Sequence, residues 1–127
     1  MLRLAARYAD AINGPANTLE RLAQLQQRAG AACVAVGRDP ATLAVTVAVL
    51  VDFTDGRGVP ASLNPARKPP LSGTTEEMAT LLRAYAAAGV SHVQLTPLPL
   101  TLASVERLAP VLELLDGNAA SFVGARA

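Results

Sequence analysis

The chain has 127 residues, of which 51% are hydrophobic and 17% are charged, and its net charge is +1 at pH 7. This composition is too apolar for a disordered chain and too weakly charged for a polyanion-binding protein, so we expect no nucleic-acid partner. Aromatic residues make up 3% of the sequence and tryptophan is absent, which removes the usual platforms for stacking bases. The length suits one small domain, or about half of the roughly 250 residues of a complete βα barrel.

Short stretches of sequence argue against two further classes of protein: those with an internal disulfide, and those with a membrane span or secretory signal. The single cysteine, Cys33, cannot form an internal disulfide, and its apolar neighbours predict a buried helix face. The longest apolar run, residues 43–51, is far shorter than the roughly 20 residues that span a bilayer. The first residues lack the apolar block of a secretory signal. We therefore expect a cytoplasmic chain without a membrane partner.

Helix and strand signals alternate from the start of the chain. A helix over residues 2–9 leads into a first strand that ends at Asn13. A capping box formed by Asn17 and Glu20 predicts the start of a second helix, which Gly37 ends. The apolar run that follows predicts a second strand, covered by helices on one side and packed inside on the other.

A long loop separates the two halves of the chain. Residues 53–73 contain four prolines and three glycines, and loops of this length in compact domains are usually functional or mobile. A second capping box, Thr74 with Glu77, predicts the start of the next helix, which ends at Gly89.

The last elements are a strand and a helix. Val93 and Leu95 predict a short strand that Pro97 breaks. The apolar spacing over residues 102–115 predicts one last helix ending at Gly117. Residues 118–127 are expected to be a flexible tail.

A helix followed by three strand and helix pairs specifies parallel strands joined by helical crossovers. A small doubly wound sheet usually has a Gly-rich turn after its first strand, whereas residues 13–17 contain one glycine and one proline. A barrel segment needs no such turn and explains the small number of strands. We therefore predict an α/β fold, a partial (β/α)8 TIM-barrel segment of about three βα units plus a leading helix, over residues 1–117.

Three stretches in register carry a family resemblance that covers residues 2–115. They are LRLAARYADAIN at 2–13, VGRDP at 36–40 and LSGTTEEMATLLRAYAAAGVSHVQL at 71–95. In order and spacing they resemble the bacterial-luciferase-like oxidoreductases, especially those that use the deazaflavin coenzyme. The family usually has an aromatic residue at the end of the strand after ARYAD, where this chain has Ile12.

The resemblance implies the C-terminal part of a flavin- or deazaflavin-dependent oxidoreductase or monooxygenase with a small-molecule substrate. FMN or the deazaflavin coenzyme would lie at the carboxyl-terminal mouth of the barrel, with most ring and phosphate contacts supplied by preceding strands. We therefore expect the isolated chain to bind the coenzyme weakly and to have little or no activity alone. Because no capping side chain precedes the helix at 2–9, we also expect the chain to begin within the enzyme.

Barrel enzymes place their ligands at the carboxyl ends of the strands. In the predicted strands these positions belong to Asn13, Asp52 and Thr96, which are therefore the candidate cofactor-binding residues. Each has a simpler structural alternative: Asn13 bonds its own turn, Asp52 ends its strand, and Thr96 completes its strand. His92 lies near the amino end of its strand, where we expect a contribution to stability. No residue is assigned as catalytic, and no cluster has the spacing of a metal site.

Two other functions stay open from the sequence. A barrel isomerase or lyase with a phosphorylated substrate would bind phosphate through Arg67 or Lys68 and the turn at Gly73. A non-catalytic small α/β module would instead self-associate as a homo-oligomer through exposed barrel edges. The segment hypothesis predicts that residues 43–51 expose apolar surface where a neighbouring strand is missing.

Overall fold

The computed structural model describes residues 1–57 and 70–124, with side chains described as far as Gly117. Three parallel strands form one sheet in the order β1 (Ala11–Pro15), β2 (Ala44–Asp52) and β3 (Val90–Leu98). Helix α1 (Leu2–Tyr8) precedes β1, α2 (Leu19–Ala35) joins β1 to β2, and α3 (Thr75–Ala87) joins β2 to β3. Helices α4 (Leu102–Glu106) and α5 (Ala109–Gly124) follow. The predicted α/β class with parallel strands is confirmed.

Among the described residues, helices cover one face of the sheet and leave the other face open. Val47, Val49 and Val51 of β2 are buried and belong to the main hydrophobic core. That core includes side chains from the three longest helices: Leu22, Met78, Ala79, Leu82, Tyr85 and Val111. The alternating residues of β2, Thr46, Ala48 and Leu50, belong to neither hydrophobic cluster. Helices α2, α3 and α5 therefore pack against the same face of the sheet.

A second, smaller cluster packs α1 and α2 against β1. It includes Ala6, Ile12 and Cys33, and the buried cysteine agrees with the prediction for that helix face. Helix α2 stops just before Gly37, as predicted, and Gly37 has φ +73°, a backbone conformation that glycine adopts without strain. The next residue, Arg38, donates from Nη1 to the carbonyls of Ala6 at 3.0 Å and Ala9 at 2.7 Å, and so fixes the end of α1.

The turn between β1 and α2 differs from the prediction. Thr18 is the N-cap of α2, where its side chain accepts from the Arg21 N–H, so the predicted Asn17 capping box is wrong. Asn17 instead accepts, through Oδ1, a hydrogen bond from the Leu50 N–H at 3.3 Å. β1 ends at Pro15, beside Ala48, and the Asn17 side chain continues its pairing with β2.

One residue of the predicted loop over 53–73 also continues this pairing. Leu71 donates its N–H to Leu50 O at 2.6 Å and accepts from the Asp52 N–H at 2.8 Å. β2 is therefore bonded along both edges, to β1 and Leu71 on one side and to β3 on the other. The prediction that β2 lacks a neighbouring strand is wrong, although its open face is uncovered. Residues 58–69 of the loop lie outside the described residues.

β3 is longer than predicted because Pro97 does not break it. Leu98 O accepts from the Phe53 N–H at 3.0 Å, so Leu98 bonds towards β2. Alternate residues of a strand point their N–H groups to opposite sides, which places the Pro97 nitrogen at the outer edge of the sheet. A proline is tolerated there because no ladder hydrogen bond is lost.

The predicted last helix is two helices. Pro110 lacks an N–H group, and in a continuous helix its ring would collide with the Glu106 carbonyl, so the chain breaks between α4 and α5. Helix α5 then runs to Gly124, beyond Gly117, where the prediction ended it. A single glycine inside a helix costs only about 1 kcal/mol relative to alanine, which does not stop the helix.

A buried tyrosine joins α3 to the turn after β1. The Tyr85 hydroxyl donates to the Ala16 carbonyl, and both residues are fully buried. No helix in the described ranges is long and apolar enough to cross a bilayer.

We expect Tyr85→Phe to lower the free energy of unfolding by about 1–3 kcal/mol, because the Ala16 carbonyl is left buried without a donor. Urea denaturation followed by circular dichroism measures this change. The control is Tyr8→Phe at an exposed position, with an expected change within about 0.5 kcal/mol. Equal effects of the two variants would contradict the assigned role.

Alkaline unfolding provides a second readout for the same variant. Burial raises the pKa of Tyr85 from 10.0 to about 12. The folded chain therefore keeps this proton when the unfolded chain has lost it, so stability is complete below pH 10 and falls between pH 10 and about 12. The Tyr85→Phe variant lacks this part of the decline, whereas Tyr8→Phe retains it.

Candidate functional site

The carboxyl ends of the parallel strands meet at one edge of the sheet, the usual position of ligands in α/β folds. Three segments meet there: the turn after β1 at Ala16 and Asn17, residues 52–56 after β2, and the end of β3. We call this region the carboxyl edge. Two of the three predicted site residues lie at or near it.

Asn13 does not lie at the carboxyl edge. It is in the middle of β1 and pairs with Thr46, six residues before the end of β2, or about 20 Å along the strand. Its Oδ1 accepts from Thr46 Oγ1 at 3.1 Å, and its Nδ2 donates to Gln94 Oε1 at 3.2 Å. The side chain therefore belongs to a polar row on the open face, and both the predicted strand end and the predicted bond to its own turn are wrong.

Asp52 ends β2, as predicted, and is buried. Its Oδ1 accepts from the Thr54 N–H at 2.7 Å and the Thr54 hydroxyl at 2.6 Å, and its Oδ2 accepts from the Gly56 N–H at 2.6 Å. The bond from the Thr54 hydroxyl holds the pKa of Asp52 below its usual value. The two backbone N–H groups act in the same direction, and burial opposes them. The carboxylate therefore stays ionised and stabilises its own turn, which makes it a poor general base.

Thr96 lies on the open face, two residues before the end of β3. It pairs with Leu50 and is exposed, so its hydroxyl is accessible from the side of the sheet that helices do not cover. Leu50 precedes Asp52 by two residues, or about 7 Å along β2. The structure thus brings Thr96 near the carboxyl edge and leaves Asn13 apart from it. His92 is exposed and pairs with Thr46, in the amino-terminal half of the sheet.

The residues at this edge that the sequence did not indicate are Phe53 and Arg107. The guanidinium carbon of Arg107 lies 4.2 Å from the centroid of the Phe53 ring, and its Nη1 donates to Phe53 O at 3.3 Å. These two residues are 54 positions apart. No local pattern could have paired them, because an arginine between two helices ordinarily indicates only a solvated surface.

The proposed phosphate turn at the start of α3 is occupied by the chain's own carboxylate. Glu77 Oε2 accepts from the Thr74 N–H at 2.7 Å in the predicted capping box, which is confirmed. Gly73 has φ +126°, and a Cβ at this position would collide with that same oxygen. A second anion at this turn would therefore meet the Glu77 carboxylate. Arg67 and Lys68, the other residues of that hypothesis, lie outside the described residues.

Among the described residues, no group of three or more His, Cys, Asp or Glu side chains is placed to hold a metal ion. No protein-family model matches the chain, and no curated protein matches it. The function is therefore inferred from the geometry of the open face and of the carboxyl edge.

We expect Asp52→Asn to destabilise the chain by about 1–3 kcal/mol, because an amide cannot accept from both sides of the turn and one N–H group loses its partner. Thermal and urea unfolding measure the loss. Asp55→Asn, at an almost fully exposed neighbour, is the control and should change stability little.

The dependence of folding stability on acid pH distinguishes the hydrogen-bonding role of Asp52 from a general effect of charge. The folded pKa of Asp52 lies below its ordinary value of 3.8, so its contribution is complete above that pH and is lost as the pH falls through the folded pKa. Wild-type chain and Asp52→Asn should therefore converge in stability at low pH. A constant difference down to the lowest pH would contradict the assignment.

Proposed function

We propose that this chain is a segment of a luciferase-like (β/α)8 barrel oxidoreductase whose coenzyme is FMN or the deazaflavin coenzyme. The observation that supports the proposal is the one-sided sheet, in which α2, α3 and α5 pack on one face. In a βα barrel the helices lie only outside, and the other face of each strand points into the barrel. A doubly wound sheet carries helices on both faces and reverses its strand order, whereas these strands follow one another in sequence.

The open face suits the ring of such a coenzyme better than its phosphate. Asp52 is the only acidic or basic residue in the three strands apart from His92, and its carboxylate is used by its own turn. The accessible groups near the carboxyl edge are the Thr96 hydroxyl and the half-buried Leu50 side chain. A neutral surface of this kind fits a flat conjugated ring with a few polar atoms.

The chain's own residues would bind and orient the coenzyme. In this proposal, Leu50 forms an apolar floor and the Thr96 hydroxyl contacts a polar atom at the ring edge. The coenzyme, when bound, supplies hydride transfer, and the protein supplies position and electrostatics. Asp52 takes no part in proton transfer, because its three hydrogen bonds favour the ionised form. With only three strands of a barrel wall, we expect weak binding and little or no turnover by the chain alone.

We expect FMN to shift the backbone amide resonances of Leu50, Thr96 and Leu98 saturably, with a dissociation constant on the order of 1 mM or somewhat below. Two-dimensional NMR of the labelled chain measures these shifts, and the same titration is made with the deazaflavin coenzyme. Thr96→Val, which keeps the shape and removes the hydroxyl, should weaken binding by about threefold to tenfold. Thr80→Val on α3, where the hydroxyl donates to Glu76 O within its own helix, is the matched control. Shifts confined to the helix-covered face, or none, would refute the proposal.

A non-catalytic module that self-associates is the second candidate function. The observation that favours it is the number of exposed apolar side chains after β3. Five of the ten large apolar residues exposed among the described residues lie there: Leu100, Leu102, Val105, Leu112 and Leu114. Among the described residues β3 is an edge strand whose one acidic or basic residue is His92, and edges with few charges are open to pairing.

We expect the purified chain to bind a hydrophobic dye and to form dimers at concentrations on the order of 100 μM. Sedimentation equilibrium measures the association. Leu102→Lys should weaken it at least tenfold, whereas Val34→Lys should not, although the two side chains are similarly exposed, at 74% and 69%. A strictly monomeric chain that binds no dye would exclude this candidate.

A further inference from the structure

Helices α1 and α5 lie at opposite ends of the helix layer. α1 packs against α2, α2 against α3, and α3 against α5. Ala6 of α1 shares a hydrophobic cluster with Ile12 of β1, whereas Leu112 and Leu115 of α5 line a cavity of about 370 Å³ with Val93 of β3. β1 and β3 are the two outer strands of the described sheet. Each of these helices therefore lies at its own edge of the molecule, and two other helices separate them.

The exposed face of α1 is positively charged. Arg3 and Arg7 are exposed and four residues apart, and so are Leu4 and Tyr8, which places the four side chains in two adjacent rows on one side of the helix. Leu4 is 65% exposed and Tyr8 is 76% exposed. α1 contains no acidic residue, and the two arginine side chains form no hydrogen bond or ion pair with the described residues. This face therefore combines two unpaired cations with two apolar side chains.

The exposed face of α5 has the opposite charge. Leu112, Glu113 and Asp116 are exposed at spacings of three and four residues, which places them on one side of the helix. Val111 lies on the other side, in the main core. Residues 109–124 include no lysine, arginine or histidine, and neither carboxylate forms an ion pair within the described part of the chain. This face therefore combines two unpaired carboxylates with an exposed leucine.

The other charged groups near these helices leave the difference in sign. Beside α1, exposed Asp10 follows the helix, and Arg38 donates to two carbonyls at its end. Beside α5, half-buried Arg83 donates from Nη2 to a carbonyl of the helix at 2.8 Å. Glu106 and Arg107, at the end of α4, are adjacent and have opposite charges. The α1 end therefore has an excess of positive charge and the α5 end an excess of negative charge.

We propose that copies of this chain bind head to tail, with the exposed face of α5 in one copy against the exposed face of α1 in the next. The contact buries leucine and tyrosine side chains, which supply affinity, and it places arginines beside carboxylates, which select the partner and its orientation. This inference rests on the self-associating module, the second candidate function, and names the two surfaces that meet.

The charges favour this contact over a symmetric one. If either face met the same face of a second copy, like charges would lie opposite each other, which disfavours that pairing. In the head-to-tail contact the two surfaces differ, so a dimer keeps one free α1 face and one free α5 face. The wild-type chain should therefore grow beyond the dimer as its concentration rises.

The first test reverses the charge of each face in turn. Arg3→Glu with Arg7→Glu reverses α1, and Glu113→Arg with Asp116→Arg reverses α5. Sedimentation velocity at low ionic strength should show each double variant associating about tenfold more weakly than wild type or worse, and added salt should weaken wild-type association. Arg57→Glu, at a residue that is 86% exposed and lies at the carboxyl edge, is the control and should associate like wild type. Circular dichroism checks that every variant is folded.

The second test mixes the two double variants. The α1 variant keeps the native α5 face and the α5 variant keeps the native α1 face, so one native contact remains between them. An equal mixture should form a heterodimer with about the affinity of wild type, and this heterodimer should not grow further. Folded variants that stay monomeric when mixed, or that associate as well as wild type when alone, would overturn the proposal.

The same measurements separate this inference from the candidate function on which it rests. If Leu102→Lys weakens association and neither double variant does, the head-to-tail contact is wrong and self-association stands. If the wild-type chain is monomeric at every concentration and ionic strength, both are wrong.

Discussion

The backbone groups of β2 that face β1 require partners after β1 has ended, and much of the fold depends on how this requirement is met. β1 stops at Pro15, beside Ala48, while β2 continues to Asp52. A buried N–H or C=O without a partner costs about as much as a lost hydrogen bond. The Asn17 side chain supplies the acceptor for Leu50 N, and the Leu71 backbone bonds both Leu50 O and Asp52 N.

This solution also positions the carboxyl edge. Asn17 can reach Leu50 only if the turn after β1 is fixed, and the Tyr85 hydroxyl fixes it from α3 through Ala16. Leu71 brings the chain back beside β2 before α3 begins. The positions of Asp52 and of the turn that follows it therefore depend on contacts between residues 19 to 69 positions apart in the sequence.

Local signals in the sequence were sufficient where a structure depends on neighbouring residues. Gly37 and Gly89 end their helices, and Thr74 with Glu77 forms a capping box, because each requirement is met within a few residues. The same pattern at Asn17 and Glu20 failed, since the strand edge uses the Asn17 side chain. Pro97 predicts the end of a strand when only local sequence is considered, because the sequence does not show which edge of β3 is free.

The candidate site was predictable only in part, for the same reason. The sequence predicts the position of Asp52 because this residue directly follows an apolar run, whereas β1 and β3 continue for two residues beyond Asn13 and Thr96 without a local signal. The stack of Arg107 on Phe53 joins the break between α4 and α5 to the end of β2, and no spacing rule covers such a pair.

The open face and the carboxyl edge present different chemical groups. The three strands present hydroxyl, amide and apolar groups, the imidazole of His92 in their amino-terminal half, and one carboxylate, Asp52, which accepts hydrogen bonds from its own turn. Arg57 and Arg107 lie beyond the strand ends and are exposed, so water screens their charge. The ring of the proposed coenzyme would contact Leu50 and Thr96 without meeting an unpaired charge, because hydrogen bonds from Thr54 and Gly56 satisfy the carboxylate of Asp52, the one acidic residue of the three strands.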